Sequence, residues 1–178
     1  MQRTLLVTVG TTKFDEILRV VGQVEFQQHV LQGMDIKRIA VQRGSSAVVP
    51  ESMQLPWLLY SIVGRVSGLS IQPFEYSPEL QCIIDSASFV ILHCGAGSVL
   101  EVLHSKKRAI AVVNPNLLDN HQEELADALE SSGLMAVARS PDQILDVLKN
   151  TDWSKITRYA APDLSLFPRE LGTLIKLD

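Results

Sequence analysis

The sequence predicts an α/β protein: a single Rossmann-like, doubly wound parallel sheet followed by a C-terminal tail. Short apolar runs of strand length alternate with segments whose apolar residues recur at helical spacing. Such alternation is typical of a parallel sheet with helices on both faces. The 178 residues fit one domain, and a hydrophobic fraction of 46% with 20% charged residues is typical of a globular chain.

The first half of the chain contains three predicted strands, over 4–9, 37–42 and 69–72. A helix over 14–31 is predicted from apolar residues at helical spacing: Ile17, Val20, Val21 and Val24. A second helix is predicted to begin at Ser77-Pro78, with serine as N-cap and proline in the first turn, and to end near Ser86. Residues 47–68 fit either a short helix or a loop over the core.

The second half repeats the alternation and ends in a tail. Strands are predicted over 89–92, 109–113 and 135–138. Helices are predicted over 98–104 and 120–131, and Gly133 is expected to end the second of them. Ser140-Pro141-Asp142-Gln143 predicts a capping box that opens another helix. We therefore expect a Rossmann-like domain over 1–150 and a tail, with a final short helix, over 151–178.

Composition and charge argue against several classes of function. A net charge of −4 and a pI near 5.6 disfavour nucleic acid as a partner, because a basic face is expected there. No apolar run approaches the roughly 18 residues of a membrane span, and the N-terminus lacks a signal-peptide layout. The two cysteines have neither metal nor disulfide spacing, which favours a reducing cytosol.

Three loops that follow predicted strands contain glycine or polar residues suited to ligand binding. Their position favours such a role, because open parallel sheets bind ligands beyond the carboxyl ends of their strands. The first is Gly10-Thr11-Thr12. Its glycine allows close approach of the backbone, and its threonines offer hydroxyls beside a helix start. A purely structural alternative is that Thr12 caps the helix, with Asp15 three residues later.

The second loop lies in HCGAGSVLEVL, residues 93–103, where a strand enters a helix through a turn with almost no side chains. Free N–H groups and the helix dipole suit a phosphate or diphosphate, and Gly95 and Gly97 remove Cβ atoms that would keep the anion away. The alternative is a capping box between Ser98 and Glu101. A dinucleotide fingerprint is disfavoured because Leu100 replaces its third glycine, and no P-loop ending is present.

The third loop, over 114–123, is rich in amide and imidazole side chains: Asn114, Asn116, Asn120, His121 and Gln122. Amides both donate and accept hydrogen bonds, as recognition of sugar hydroxyls requires. The alternative is that Asn120 caps a helix and Glu123 closes its box. A diphosphate cradle beside an amide-rich loop predicts a nucleotide-sugar site.

Three segments, TVGTTKFDEIL, HCGAGSVLEVL and NPNLLDNHQEELADAL, resemble the catalytic subunits of eukaryotic transferases that add the second N-acetylglucosamine to dolichyl diphosphate. They are more distantly similar to the C-terminal half of the bacterial glycosyltransferase that makes lipid II. The resemblance implies a GT-B glycosyltransferase using UDP-N-acetylglucosamine (UDP-GlcNAc), with this chain as the donor-binding half. It also implies a membrane-anchored, acceptor-binding partner subunit, on which the tail over 151–178 docks at the cytosolic face of the endoplasmic reticulum.

The resemblance assigns roles to individual residues. The diphosphate is expected on Gly95, Ala96, Gly97 and Ser98, and the ribose on Glu101. The N-acetylglucosamine is expected on Gln122, with Asn120 and His121 near it. The turn at Phe74-Glu75-Tyr76 matches the place where such enzymes hold uracil through backbone groups. Further substrate contacts are expected from His93 and Asn116, and from Gly10, Thr11 and Thr12 near the diphosphate of the acceptor.

The implied reaction is inverting transfer to a lipid-diphosphate-GlcNAc acceptor, without metal or cofactor. The general base is open among Asp15, His121, His93 and the partner chain, although His93 ends a buried-looking strand and also fits a structural role. Two other classes are considered. One is a UDP-sugar-binding regulatory module without catalysis of its own. The other is a nucleotide-sugar epimerase, which is disfavoured because those enzymes carry both halves in one chain.

Overall fold

The computed structural model describes residues 3–46, 66–116 and 121–160. Its strands are β1 (Thr4–Thr8), β2 (Arg38–Gln42), β3 (Ser70–Phe74), β4 (Phe89–His93), β5 (Ala109–Val112) and β6 (Ala136–Ala138). Its α-helices are α1 (Asp15–Gly22), α2 (Val24–Gln28), α3 (Leu80–Ser86), α4 (Ala96–His104), α5 (His121–Ser131) and α6 (Ile144–Asn150). A π-helical turn, His29–Gly33, follows α2, and a 3-10 turn, Pro141–Gln143, precedes α6.

The strands form one parallel sheet in the order β3-β2-β1-β4-β5-β6. This confirms the predicted doubly wound architecture. The chain builds outward from β1 through β2 to β3, then crosses back to place β4 on the other side of β1. The carboxyl ends of β1 and β4 therefore lie side by side at the point where the strand order reverses. Open α/β sheets bind their ligands at such a point.

Alternate residues of the central strands pack on opposite faces of the sheet. In β1, Leu5 and Val7 join a core cluster with residues of α1, α2 and α6, whereas Leu6 joins a second cluster with residues of α3, α4 and α5. All three side chains are fully buried. Burial of each such side chain contributes about 1.5–3 kcal/mol, so the two clusters hold the central strand ends rigidly. Pro73 lies in β3 at the sheet edge, where a missing N–H is tolerated.

The predicted helix over 14–31 is wrong as one continuous helix. The backbone is extended at Gln23, with ψ of 135°, and the chain continues as α2 and the π-helical turn. The buried side chain of Gln27 donates to the carbonyl oxygens of Val21 and Gly22, at 3.1 and 3.3 Å, and so satisfies the end of α1. Val24, expected on the buried face, is 42% exposed because the break rotates it away from the core.

The predicted N-cap at Ser77 is also wrong, and the caps considered as alternatives at Ser98 and Thr12 do not form. The Ser77 hydroxyl accepts from the Glu79 N–H at 3.1 Å, and α3 begins at Leu80. The helix after β4 begins at Ala96, so Ser98 is its third residue. The Thr12 hydroxyl donates to the carbonyl of Val9 at 2.7 Å, and the cap residue of α1 is Phe14.

The last predicted capping box forms only in part. Pro141 opens a helical turn as expected, but Ser140 makes no side-chain cap. The Gln143 amide oxygen instead accepts from the N–H of Arg139 at 3.0 Å. The predicted stop of α5 is confirmed, since Gly133 follows the helix with φ of 63° and its N–H donates to Glu130 at 3.0 Å. Asn120, considered as an alternative cap of α5, lies outside the described residues.

Beyond α6 the chain crosses the edge of the sheet where the strands begin. The indole of Trp153 meets the ring of Phe89 edge-on, with centroids 4.9 Å apart. The Thr157 N–H donates to the carbonyl of Gly133 at 2.8 Å. Residues 161–178 lie outside the described part of the chain, so the predicted boundary at 150 and the docking role of the tail stay predictions. Among the described helices, none has the length and apolar character to cross a membrane.

We predict that Gln27→Ala lowers the free energy of unfolding by about 1–3 kcal/mol, because two carbonyls at the end of α1 lose a buried donor. Urea denaturation measures this. The matched control is Gln28→Ala, which truncates an exposed glutamine in the same helix and should change stability little. Equal effects of the two substitutions would show that Gln27 does not stabilise the break.

Candidate functional site

The candidate site lies where β1 and β4 end. Beyond β1, Gly10 adopts φ of +61° and turns the chain away from the sheet. Its N–H donates to the Thr8 hydroxyl at 3.2 Å, and that hydroxyl donates to the Gln42 side chain at 2.5 Å. Thr8 and Gln42 are both buried. The turn after β1 is thus tied to the end of β2 by a polar contact that composition and motif spacing did not predict.

The imidazole of His93 fills the space between the turns after β1 and β4. A Cβ atom on Gly10 would lie 2.7 Å from His93 Cε1, and one on Gly95 would lie 2.3 Å from His93 Nε2. Side chains do not approach this closely, so a Cβ at either position would require the buried His93 ring to shift. The missing Cβ of Gly95 therefore makes room for His93, a reason that differs from the predicted access for an anion.

His93 is kept neutral by its surroundings. It is 8% exposed, and burial lowers the pKa of the imidazole below its ordinary value of 6.5. The backbone of Thr8 opposes this pKa shift in part. Among the described residues, however, no group forms a hydrogen bond of good geometry with the buried Nδ1 atom. The ring therefore acts at neutral pH as an uncharged wedge between two turns.

The N-terminus of α4 opens beside this wedge. Gly95 is the cap residue and provides no side-chain cap, and the first helical hydrogen bond runs from the N–H of Val99 to the carbonyl of Gly95 at 3.0 Å. The preceding helical N–H groups, at 96–98, have no partner within the helix. A Cβ on Gly97 would meet no atom of the described residues within 4 Å. Partial positive charge and open space therefore coincide at this helix end.

Ser98 and Glu101 do not form the capping box considered from the sequence, because both lie inside α4. Neither side chain makes a hydrogen bond to another residue in the described ranges. Glu101 is exposed, and Ser98 is partly exposed. The Glu101 carboxylate is consequently available to a ligand bound at the N-terminus of α4.

The loop after β5 is tied to the β4 turn and to α1. The N–H of Asn114 donates to the side-chain oxygen of Gln122 at 2.9 Å, and the thiol of Cys94 donates to the Gln122 carbonyl at 3.5 Å. Burial raises the pKa of Cys94 to about 11, so the thiol keeps its proton. Asn116 donates through its N–H to the Asn114 side chain at 3.0 Å and through its amide group to Glu16 at 3.2 Å.

This arrangement distinguishes engaged from available amides. The Gln122 oxygen is occupied by a backbone donor, which leaves its NH₂ group for a ligand. The Asn116 NH₂ group is occupied by Glu16, a residue that the sequence did not single out. Glutamates are common in the first turn of helices, so the sequence around Glu16 did not indicate its contact with Asn116. Asn120 lies outside the described residues.

The candidate bases have different environments. Asp15 is the first residue of α1, its side chain is 13% exposed, and Lys13 lies 3.4 Å from one carboxylate oxygen. The other oxygen is buried and has no hydrogen-bond partner in the described part of the chain. His121, the first residue of α5, is 87% exposed and lies 3.9 Å from Glu124. Both helix starts face the carboxyl edge of the sheet.

The segment predicted to hold uracil lies at the sheet edge. Phe74 ends β3, and its carbonyl already accepts from the N–H of Arg43 at 2.9 Å. The Arg43 side chain pairs with Glu75, and Tyr76 is 70% exposed. β3 and β4 are separated by three strand spacings, about 14 Å. A ligand reaching from the N-terminus of α4 to this segment would cross the ends of β1 and β2.

Comparison with known proteins gives a family match over nearly the whole chain. The model of the glycosyltransferase family 28 C-terminal domain matches residues 4–164. The human UDP-N-acetylglucosamine transferase subunit ALG13 is 33% identical over 131 residues, which cover 74% of this chain and 10% of that protein. The chain thus spans about a tenth of the length of the human and mouse relatives.

Solved structures show the same fold. An NMR structure of ALG13 aligns with a TM-score of 0.64 at 23% identity, covering 96% of this chain and 94% of that one. MurG of Acinetobacter baumannii aligns with a TM-score of 0.65 at 19% identity, covering 98% of this chain and 50% of that one. The resemblance seen in the three sequence segments is confirmed.

We predict opposite outcomes for alanine at the two glycines of the β4 turn. Gly95→Ala should lower the free energy of unfolding by about 1–3 kcal/mol, because its Cβ would overlap the His93 ring. Gly97→Ala is the matched control and should leave the thermal midpoint unchanged or slightly raised, because it adds a methyl group to open space in a helix. Equal stability of the two variants would contradict the steric contact between His93 and the position of Gly95.

We also predict that His93 makes stability dependent on pH. Its pKa is lowered in the fold, so the unfolded chain binds the proton first as pH falls below 6.5. The contribution of neutral His93 is present above that pH and is lost as pH falls through the folded pKa. Between pH 7 and pH 5, His93→Gln should therefore lose less stability than the wild type, measured by urea denaturation. His121→Gln, at an exposed site, should follow the wild type.

Proposed function

Because the chain belongs to the glycosyltransferase family 28 C-terminal domain family, we propose that it is the donor-binding, catalytic subunit of an N-acetylglucosaminyltransferase. It transfers GlcNAc from UDP-GlcNAc to GlcNAc-diphosphodolichol, with inversion and formation of a β-1,4 linkage. The observation that carries the proposal is the N-terminus of α4, which opens at the strand-order reversal without a side-chain cap. Its first N–H groups have no partner within the helix, and no atom of the described residues lies within 4 Å of a Cβ built on Gly97.

The donor diphosphate binds the N–H groups of Ala96, Gly97 and Ser98. These groups are directed by the helix itself, so they need no reorganisation when the ligand arrives. Glu101 lies one helical turn beyond Ser98, and its exposed carboxylate makes no hydrogen bond to the residues that the structure describes. A carboxylate accepts two hydrogen bonds at once, which suits the vicinal hydroxyls of ribose.

The N-acetylglucosamine and the uracil of the donor bind on opposite sides of the diphosphate. The free NH₂ group of Gln122 faces the N-acetylglucosamine, with Asn120 and His121 as its neighbours in sequence. The uracil lies over the ends of β1 and β2 toward 74–76. Since the Phe74 carbonyl is engaged by Arg43, backbone groups of Glu75 and Tyr76 are the contacts that remain.

Catalysis proceeds by displacement at the anomeric carbon. The 4-hydroxyl of the acceptor attacks while UDP leaves from the opposite face, and charge grows on the leaving diphosphate. The α4 N–H groups and helix dipole stabilise that charge without a metal ion. A general base removes the acceptor proton, and Asp15 and His121 are the candidates of this chain. His93 positions the two turns and does not exchange protons with substrate, because its ring is enclosed.

The acceptor side is supplied by a second, membrane-anchored subunit. The name of the human relative describes a subunit, and this chain aligns with half of the length of MurG. Gly10, Thr11 and Thr12 line the cleft on the side of the acceptor's diphosphate. Thr11 is exposed, whereas the Thr12 hydroxyl is held by Val9. The assembled enzyme works at the cytosolic face of the endoplasmic reticulum, and the tail over 151–178 contributes to docking.

We predict that Glu101→Gln raises the KM for UDP-GlcNAc about 10- to 100-fold, because a charge-assisted hydrogen bond to ribose is lost. The chain is co-expressed with a membrane-anchored partner and assayed on a lipid-diphosphate-GlcNAc acceptor, and UDP binding is measured by calorimetry. Glu25→Gln, an exposed glutamate of α2 on the opposite edge, is the control.

An unchanged KM in Glu101→Gln would overturn the ribose assignment. UDP-GlcNAc binding without turnover in the assembled complex would instead favour a regulatory module that holds a nucleotide-sugar. Robust turnover by the isolated chain would contradict the two-subunit proposal.

A further inference from the structure

The edge of the sheet opposite the candidate site is basic. Parallel strands all begin at one edge, and cations precede three of them: Arg3 before β1, Lys37 and Arg38 at β2, and Lys106, Lys107 and Arg108 before β5. Backbone hydrogen bonds hold these positions together, since Lys37 donates to the Arg3 carbonyl at 3.2 Å and Val90 donates to the Arg108 carbonyl at 3.1 Å. A protein with a net charge of −4 thus concentrates positive charge at one edge.

A cleft of about 170 Å³ indents this edge between the end of α4 and the chain beyond α6. Four cations line it, Lys106, Lys107, Arg108 and Arg158, together with the hydroxyl-bearing side chain of Tyr159. Ser154 also lines the cleft, but its hydroxyl is engaged, since it donates to the Asp152 carboxylate at 2.6 Å. Positive side chains around a concave, partly apolar wall concentrate the electrostatic field inside the cleft. Guanidinium groups and hydroxyls are the donors that proteins use for phosphate.

Most of these cations have no structural partner. Lys107 donates to the Asp85 carbonyl at the end of α3, which accounts for its position. In contrast, no carboxylate within 3–46, 66–116 and 121–160 lies within ion-pair distance of Lys106, Arg108 or Arg158. Among the other described cations, six are paired with carboxylates: Lys13, Arg19, Arg43, Arg139, Lys149 and Lys155. Arg3, Lys37 and Arg38, at the same edge as the cleft, have no such partner among the described residues.

The backbone conformation of Lys106 follows from its place at the end of α4. Its φ is +54°, in the left-handed region that glycine occupies without strain. The turn is closed by hydrogen bonds from Lys106 to the Leu103 carbonyl at 2.9 Å and from Lys107 to the Val102 carbonyl at 3.4 Å. Cations after a helix also offset its dipole, by about 0.3–1 kcal/mol each. The conformation and these two hydrogen bonds are those of an ordinary helix C-terminus, and they hold Lys106 at the cleft.

The walls of the cleft are formed before any ligand arrives. The ring of Tyr159 meets that of His104 edge-on, with centroids 5.3 Å apart. Trp153 is fixed in the same way by Phe89, and Thr157 by its hydrogen bond to Gly133. The segment carrying Arg158 is therefore anchored on both sides, and little ordering is required on binding.

We propose that this cleft is a second anion site, which binds a phosphate monoester or a similar oxyanion. The cleft lies at the amino ends of the strands, whereas the proposed diphosphate site at the N-terminus of α4 lies at their carboxyl ends. The length of β4 separates the two sites by about 16 Å. An anion bound there cannot be the donor diphosphate, and it does not compete with UDP. The proposal is independent of the transferase activity, because it uses different residues at a different edge. The anion is either a soluble phosphate compound or a lipid headgroup.

The experiment is an NMR titration of the full chain with inorganic phosphate, alone and in the presence of saturating UDP. Phosphate should shift backbone amide signals over 103–108 and 153–159, with the same affinity whether or not UDP is bound. Lys106→Ala combined with Arg158→Ala should weaken this binding at least 10-fold. The matched control combines Arg19→Ala with Lys149→Ala, two exposed cations outside the cleft, and should bind as the wild type does.

Phosphate shifts confined to 95–101, or unchanged binding in the cleft variant, would overturn the proposal. Failure of the donor site has a separate signature, in which UDP shifts no signal over 95–101 while phosphate still shifts the cleft. The source of the anion is decided by sedimentation with vesicles containing phosphatidylinositol phosphate. Binding that the cleft variant loses assigns a lipid headgroup. No vesicle binding, with phosphate binding retained, assigns a soluble phosphate compound.

Discussion

The structure of the site depends on one steric constraint, the enclosure of the His93 ring between the turns that follow β1 and β4. A Cβ on Gly10 would lie 2.7 Å from the ring and a Cβ on Gly95 would lie 2.3 Å from it, so neither turn accommodates a Cβ unless the ring shifts. Because the ring is also buried and neutral, it separates the turns without requiring a counter-charge. The N-terminus of α4 therefore emerges at a defined position, and its N–H groups are directed into open space.

Hydrogen bonds around this wedge determine which polar groups remain for a ligand. Asn114, Asn116 and the oxygen of Gln122 are used to join the β5 loop to α1 and α5. Within the described part of the chain, the side chain of Glu101 and the NH₂ group of Gln122 make no hydrogen bond. A site assembled in this way is rigid where it holds the backbone and open where a nucleotide-sugar would bind, which reduces the entropic cost of ligand binding.

The parallel sheet also separates two kinds of anion-attracting surface. At the carboxyl edge the attraction comes from helix N–H groups and a dipole, which are fixed by the backbone. At the amino edge it comes from lysine and arginine side chains, of which several are unpaired in the described part of the chain. The first kind suits a ligand that must be held in one orientation for chemistry, and the second suits attachment or regulation.

The sequence by itself determined the fold class, the family and the six strands, whose ends it placed within one or two residues. It could do so because buried strands, and short turns whose backbone groups bind a ligand, are local sequence patterns. It did not determine how helices begin. Ser77, Ser98 and Thr12 match cap patterns, yet α3 and α4 begin elsewhere and Thr12 bonds to Val9. The break at Gln23 and the role of Gly95 depended on Gln27 and His93 respectively. Only the tertiary structure decided these points, because each depends on side chains whose burial and contacts exist only once the chain has folded.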